Sequence, residues 1–149
     1  MLPPLPDVVL EPIVKLALAE DLGVAGDVTT DALIDPETQG RWALRAREAG
    51  VVAGLDAAIL AGAMIDPDLI FTIRAPDGAR VKTGDTIMEI DGAARSMLMA
   101  ERTMLNFIGR LSGIATLTSV YVDAVEGSNA IVASTRKTTP GMRALEKRA

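Results

Sequence analysis

Residues 130–143 read AIVASTRKTTPGMR, and this stretch decides which kind of fold the second half of the chain begins. Its first four residues are apolar throughout, which is typical of a short strand buried on both faces of a parallel sheet or barrel. Cations then outnumber acids in residues 135–149, with Arg136, Lys137, Arg143, Lys147 and Arg148 against Glu146. Because ligands of α/β folds lie at the carboxyl ends of strands, the stretch predicts the opening of an α/β domain with an anion site.

A long helix is predicted immediately before this strand. Residues 96–125 lack proline, and apolar residues recur at helical spacing, with a kink or break predicted at Ser112-Gly113. A single buried strand after this helix would leave its backbone donors and acceptors unpaired, which is costly. We therefore expect the 149 residues to be the front part of a longer protein.

The first 92 residues predict a complete small α+β domain, a mostly antiparallel sheet with helices on one face. Strand 41–47 alternates with period two, so that Arg41, Arg45 and Arg47 share one wet or functional face. The other predicted elements are helices at 10–22 and 55–64, one helical turn within 26–39, and strands at 51–53, 69–74, 79–82 and 86–90.

Composition excludes several kinds of chemistry. The chain has no cysteine and no histidine, so disulfides, thiolate or imidazole zinc sites and a Ser-His-Asp relay cannot be built from it. A net charge of −5 and 3% aromatic residues argue against nucleic-acid binding. No apolar run is long enough to span a membrane and the start lacks a signal-peptide layout, so we expect a soluble cytoplasmic protein.

Two cationic features are candidates for binding a small anion. Residues 134–143 combine adjacent cations with threonine hydroxyls, which form either an anion cradle or a solvated basic loop. Arg102 lies in an otherwise apolar part of the long helix, and it is either directed at a ligand or part of an ordinary ion pair. Arg110 has the same two interpretations.

Three weaker signals have structural explanations. Residues 81–90 resemble the hairpins of biotinyl and lipoyl carrier domains, but no lysine of the kind that is modified there follows the segment in the small domain, so a plain β-hairpin is predicted. Glu20-Asp21 and Asp27 could belong to a metal or phosphate loop. For Asp27, which precedes Thr29-Thr30, a turn or helix cap is the more usual role.

Taken together, these segments resemble the quinolinate phosphoribosyltransferase family over almost the whole chain. The motifs that carry the resemblance are residues 19–23 (AEDLG), 26–30 (GDVTT), 46–54 (AREAGVVAG), 81–90, 94–103, 105–107 (LNF), 110–116 (RLSGIAT) and 135–141 (TRKTTPG). The resemblance implies an α/β fold: an open-faced α/β sandwich at residues 1–100, then a linking helix and the first strand of an incomplete α/β barrel at 101–149.

The resemblance also implies an activity. Members transfer phosphoribosyl from phosphoribosyl pyrophosphate to quinolinate with decarboxylation, giving nicotinate mononucleotide, pyrophosphate and CO2 in NAD biosynthesis. They use Mg²⁺, whose ligands are expected outside this chain, and work as head-to-tail homodimers or dimer-based oligomers. Thr135, Arg136 and Lys137 match the quinolinate-binding strand end, and Arg102 matches the arginine that reaches the neighbour's site. Arg102, Arg136 and Lys137 are the implied catalytic residues.

Ser134 departs from the family pattern, which usually has aspartate before Thr135, so a partner that orients the neighbouring cations is missing. Without the family's second half, the 149 residues alone are expected to be inactive. The alternatives are a homologue of the same fold that acts on another anion, such as the molybdenum-transport-associated pyrophosphorylase, and a non-enzymatic carrier or interaction module.

Overall fold

The computed structural model describes residues 4–149. Five helices and five strands are formed there, and most begin and end within a few residues of their predicted positions. In chain order they are α1 (Asp7–Leu22), α2 (Val28–Leu33), β1 (Gln39–Arg45), β2 (Gly50–Val51), α3 (Leu55–Ile65), β3 (Ile70–Ile73), β4 (Arg80–Val81), β5 (Thr86–Ala93), α4 (Ala94–Ala124) and α5 (Arg143–Arg148). None of these helices is both long and apolar enough to cross a membrane.

The larger sheet is antiparallel, with β5 between β1 and β3. Ile90 of β5 lies opposite Trp42 and Phe71, and residues directly opposite each other in a sheet share one face. Ile90 is 1% exposed, so this apolar face is the one that packs on the helices. The other face carries ion pairs, including Arg41 Nε to Asp91 Oδ1 at 2.6 Å. The predicted wet face of strand 41–47 is therefore confirmed at Arg41.

The predicted hairpin at residues 81–90 is wrong. Its two strands belong to different sheets, because β4 pairs with β2 whereas β5 pairs with β1 and β3. Between them the chain turns at Gly84, which has φ +91° and whose N–H donates to the Ala46 carbonyl at 2.8 Å. That contact directs β5 towards β1, so no carrier-type hairpin is formed.

Helix α4 is the element to which most of the fold attaches. It runs without a break through Ser112-Gly113, where an interruption was one predicted possibility, and packs against α1, α3 and β2. Its close partner α3 is rich in alanine, and Ala57, Ala58 and Ala61 are fully buried. Small side chains at these positions let the two helices approach closely, which compensates for the scarcity of aromatic residues.

Two hydroxyl side chains of α4 hold the backbone of β2 and the residues after it. Thr116 Oγ1 accepts a hydrogen bond from the Val51 N–H at 2.8 Å. One turn earlier, Ser112 Oγ accepts from the Ala53 N–H at 3.0 Å and donates to the Ala53 carbonyl at 3.2 Å. The motifs at 46–54 and 110–116, which are far apart in sequence, are therefore two sides of one contact.

The predicted buried strand at residues 130–133 is not formed in this structure. The segment has no regular secondary structure and no strand partner among residues 4–149, and Ile131 is 89% exposed. A parallel strand requires a neighbouring strand to accept and donate its backbone hydrogen bonds. Residues 4–149 contain no such neighbour beside it, so the apolar sequence remains uncovered.

Candidate anion-binding site

Arg102 projects from α4 towards the C-terminal end of α1. Its Nε donates to Asp21, at 2.9 Å from Oδ1 and 3.2 Å from Oδ2. The Arg102 side chain is nevertheless 61% exposed, whereas that of Asp21 is 22% exposed. Arg102 thus forms an ion pair within its own chain and still presents its guanidinium to the surface.

Asp27 adds a second carboxylate to the surroundings of Arg102. It caps α2, as the sequence predicts, by accepting from the Thr30 N–H at 3.0 Å and from the Thr30 hydroxyl at 2.6 Å. These two bonds lower the pKa of Asp27, and the positive charge of Arg102 lowers it further. At the other end of α2, Arg95 Nε donates to the Ile34 carbonyl at 2.8 Å, so α4 holds α2 in place.

The cationic segment is anchored to α4 by Arg110. The Arg110 guanidinium donates to Glu146 Oε1 and to the Thr139 hydroxyl, and Glu146 Oε2 accepts from the Thr139 N–H at 3.1 Å. Hydrogen bonds from Arg110, then from the hydroxyl and amide of Thr139, lower the pKa of Glu146. Arg110 is therefore a structural anchor in this chain, which agrees with the ion-pair interpretation of this residue.

Thr135, Arg136 and Lys137 precede this anchor and are all exposed. The Thr135 hydroxyl accepts from the Lys137 N–H at 3.1 Å, which forms a local turn. Within residues 4–149 the side chains of Arg136 and Lys137 have no hydrogen bond or ion pair, and none joins them to Arg102. The segment thus presents two uncommitted cations, while Arg102 stands elsewhere on the surface.

A shallow groove of about 360 Å³ runs between α1 and α4 on the side of the cationic segment. Phe107, Arg110 and Met142 line it, together with Thr103, which is 2% exposed. The Thr103 hydroxyl is buried and is without a hydrogen-bond partner in the described part of the chain.

Sequence reasoning missed three residues that shape this region: Asp21 as the partner of Arg102, and Thr139 and Glu146 as partners of Arg110. A carboxylate in the last turn of a helix is the one available signal, because the helix macrodipole disfavours it there. No pattern of spacing connects Asp21 with Arg102, or Arg110 with Glu146.

The described residues do not bring together three or more acidic, cysteine or histidine side chains that could hold a metal. Asp21 and Asp27 both interact with Arg102, so their charge is directed at a cation of the protein. These residues therefore do not fit a Mg²⁺ site.

The fold and the site together define an α/β sandwich domain whose long helix leads to an exposed, anchored cationic segment. The chain belongs to the quinolinate phosphoribosyl transferase family. The family's N-terminal domain matches residues 27–112, and its C-terminal domain matches residues 114–149.

Curated relatives and solved structures agree with this membership. The chain is 43% identical over 141 residues to a nicotinate-nucleotide pyrophosphorylase (carboxylating) of Mycobacterium leprae, covering 90% of this chain and 48% of the relative. A quinolinate phosphoribosyltransferase (decarboxylating) of Nicotiana tabacum is 41% identical over 138 residues, covering 93% and 39%. The chain thus spans about half the length of these relatives or less.

The crystal structure of NadC from Streptococcus pyogenes superposes with a TM-score of 0.93 at 38% identity, covering 99% of this chain and 52% of that one. A nicotinate-nucleotide pyrophosphorylase from Francisella tularensis gives 0.90 at 33% identity, covering 97% and 51%. The predicted α/β sandwich fold is confirmed by these likenesses.

Proposed function

We propose that this chain forms part of an enzyme that transfers phosphoribosyl from phosphoribosyl pyrophosphate to quinolinate with loss of CO2. The products are nicotinate mononucleotide, pyrophosphate and CO2. Support comes from family membership and from the names of the relatives, which include the carboxylating pyrophosphorylase of Mycobacterium leprae. The observation that carries the proposal is the pair of uncommitted cations, Arg136 and Lys137, on a segment that Arg110 and Glu146 anchor.

The chemistry of the substrate explains the need for these side chains. Quinolinate carries two carboxylates on adjacent ring carbons, and taking them out of water is costly unless cations replace the solvent. Arginine binds a carboxylate through two parallel N–H bonds, whereas lysine supplies a compact charge. We assign carboxylate binding to Arg136 and Arg102, with the Thr135 hydroxyl beside them and Lys137 adding positive charge near the ring.

The reaction itself breaks two bonds. The ring nitrogen bonds to the ribose carbon as pyrophosphate leaves, and a ring carboxylate departs as CO2 while the ring carbon takes up a proton. Fixed positive charge near the leaving group lowers the barrier without needing an acid–base histidine. Mg²⁺ belongs to the proposal only through the family resemblance, and no step is assigned to it here because the described residues do not fit it.

The assembly is proposed to be a head-to-tail homodimer in which Arg102 serves the neighbour's site, with the enzyme acting in the cytoplasm. Support comes from the family resemblance and from the placement of the two arginines, because Arg102 pairs with Asp21 at the end of α1 whereas Arg136 lies on the segment that Arg110 anchors.

Turnover tests the activity directly. A full-length form should convert quinolinate and phosphoribosyl pyrophosphate into nicotinate mononucleotide, measured by chromatography and CO2 release, and the 149 residues alone should not. Removing Arg136 or Lys137 deletes a charge-assisted contact worth about 1.5–3 kcal/mol, so each alanine variant should lose roughly 10- to 150-fold in kcat/KM. Absence of turnover by the full-length form, or variants as active as the unsubstituted protein, would contradict the proposal, whereas an active 149-residue chain would contradict only the expectation that it is inactive alone.

Mixing two impaired variants tests the shared site. If Arg102 acts across the dimer, Arg102→Ala and Arg136→Ala subunits should complement, since each mixed dimer then contains one intact site. An equimolar, fully exchanged mixture should recover about one quarter of the unsubstituted activity. No recovery despite demonstrated subunit exchange would place Arg102 in its own subunit's site.

A further inference from the structure

The guanidinium of Arg102 is held by one edge only. An arginine side chain has five N–H donors, one on Nε and four on the two terminal nitrogens. Both oxygens of Asp21 lie at Nε, at 2.9 and 3.2 Å, instead of pairing with a terminal nitrogen. Within residues 4–149, neither terminal nitrogen of Arg102 has a hydrogen-bond partner. The end of the side chain that can grip a carboxylate with two parallel bonds is thus uncommitted.

Asp21 lies where helix electrostatics disfavour it. It is in the last turn of α1, which is capped by Gly23 with φ +56° and has no basic residue in that turn. A carboxylate there faces the negative end of the helix dipole, and Glu20 beside it adds a like charge. An exposed ion pair contributes little to stability. These small opposing effects give Asp21 no clear stabilising role, so the contact with Arg102 needs another explanation.

The helix that carries Asp21, α1, is firmly packed. Leu10, Val14 and Leu18 form a buried stripe that fixes α1 against the rest of the domain. The Asp21 carboxylate is largely covered, while the Arg102 side chain extends outwards at 61% exposure. A fixed acceptor at Nε restricts the last torsions of a long side chain, and it thereby sets the plane of the guanidinium.

We infer that Asp21 is a positioning residue for Arg102, holding Nε so that the two terminal nitrogens face outwards as a preformed fork for a substrate carboxylate. This inference rests on the proposed function, because it takes the bound group to be a carboxylate of quinolinate. Asp21 does not touch the substrate. It acts by reducing the number of side-chain conformations that binding would otherwise have to select.

Kinetics of the full-length protein test the consequence for the substrate. Asp21→Ala should raise KM for quinolinate about tenfold, while KM for phosphoribosyl pyrophosphate stays within about twofold. Asp21→Asn retains an acceptor of the same shape and should give a smaller increase. A merely structural role would lower the active fraction or the melting temperature without separating the two KM values.

Glu20→Gln is the matched control, since it removes the same charge from the same helix end and Glu20 has no hydrogen bond to Arg102. It should leave both KM values unchanged. An equal rise in quinolinate KM for Glu20→Gln and Asp21→Asn would show a general charge effect and overturn the inference.

The 149-residue chain provides a readout that does not depend on turnover. The Nε–H resonance of Arg102, assigned by its loss in Arg102→Lys, should exchange slowly with solvent and become fast-exchanging in Asp21→Ala. An unaffected resonance would overturn the inference, as would unchanged quinolinate KM in an active Asp21→Ala enzyme. Absence of turnover by the unsubstituted full-length protein would instead overturn the proposed function, and with it the identity of the bound carboxylate, while the resonance still reports whether Asp21 holds Arg102.

Discussion

Replacing Ser112 by alanine should destabilise the domain far more than an ordinary loss of a helix hydroxyl. Ser112 lies on α4, and its Oγ makes two hydrogen bonds to one residue, accepting from the Ala53 N–H and donating to the Ala53 carbonyl. Ala53 is 4% exposed. Without the hydroxyl, both backbone groups of Ala53 lose their partner in a place that water reaches poorly.

The expected magnitude follows from these two groups. Leaving a buried donor or acceptor unsatisfied costs about 1–3 kcal/mol, and the partly buried position favours the lower half of that range. Alanine regains roughly 0.5 kcal/mol because it is the better helix former. The free energy of unfolding should therefore fall by about 2–3 kcal/mol, which corresponds to roughly 4–12 °C in melting temperature for a chain of this size.

Urea unfolding followed by fluorescence can measure this loss, because Trp42 is the only tryptophan and lies on β1. Hydrogen exchange at the Ala53 amide should accelerate in the same variant. The control is Thr118→Ala, an exposed position on the same helix, where a change within about 0.5 kcal/mol is expected. If Ser112→Ala costs no more than Thr118→Ala, the hydroxyl contacts do not hold the β2 segment and the reasoning fails.

Three further predictions concern a glycine and two carboxyl groups. Gly54 has φ +98°, and an added Cβ would lie 2.7 Å from Leu111 Cδ1 and 3.1 Å from the Phe107 carbonyl oxygen, so Gly54→Ala should cost about 2–5 kcal/mol by urea unfolding. Gly109→Ala, where a Cβ meets open space, should instead be neutral or stabilising. Burial raises the pKa of Asp77, so its contribution is fully present below its usual pKa and is lost as pH rises through the raised value. Asp77→Asn keeps an acceptor for the Leu55 N–H but cannot ionise. The change in the free energy of unfolding that it causes should therefore be more favourable at pH 7 than at pH 3, and the same change at both pH values would count against this. For Glu146, whose pKa is lowered, the pH dependence runs the other way. Its contribution to stability is present above its usual pKa and is lost as pH falls through the lowered value. The protection factor of the Thr139 amide, which corrects for the slower intrinsic exchange at low pH, should therefore fall on acidification, and in Glu146→Gln it should be lower already at neutral pH.

Local patterns in the sequence were enough to predict most elements of the sandwich. Period-two alternation identified β1, and the stop signal at Gly23 placed the end of α1. Asp27 was predicted as a cap because its chemistry acts on a backbone N–H three residues away. In each case the cause lies within a few residues of the effect, so one sequence contains all the information needed.

The pairing of strands was harder to predict because it depends on contacts between distant segments. Two neighbouring strands joined by a tight turn usually form a hairpin, yet β4 and β5 lie in different sheets. The strand pairing is determined at Gly84 and Asp85, whose backbone groups form hydrogen bonds with Ala46. No local feature of the turn reports that distant partner.

The same distinction explains what was missed at the candidate site. The cations at 136–137 were found because charge and composition are local, but their anchor on α4 and the partner of Arg102 were not. Residues 130–133 show the limit of local reasoning most clearly, because an apolar run predicts a buried strand only when the covering strands exist.

Asp21 is the converse case, because there a conflict within the local sequence is itself a signal. Its position at a helix C-terminus conflicts with local electrostatics, and such a conflict is where a functional contact is most often found. The identity of Arg102 as its partner could come only from the packing of α1 on α4, which places two residues 81 positions apart within 2.9 Å.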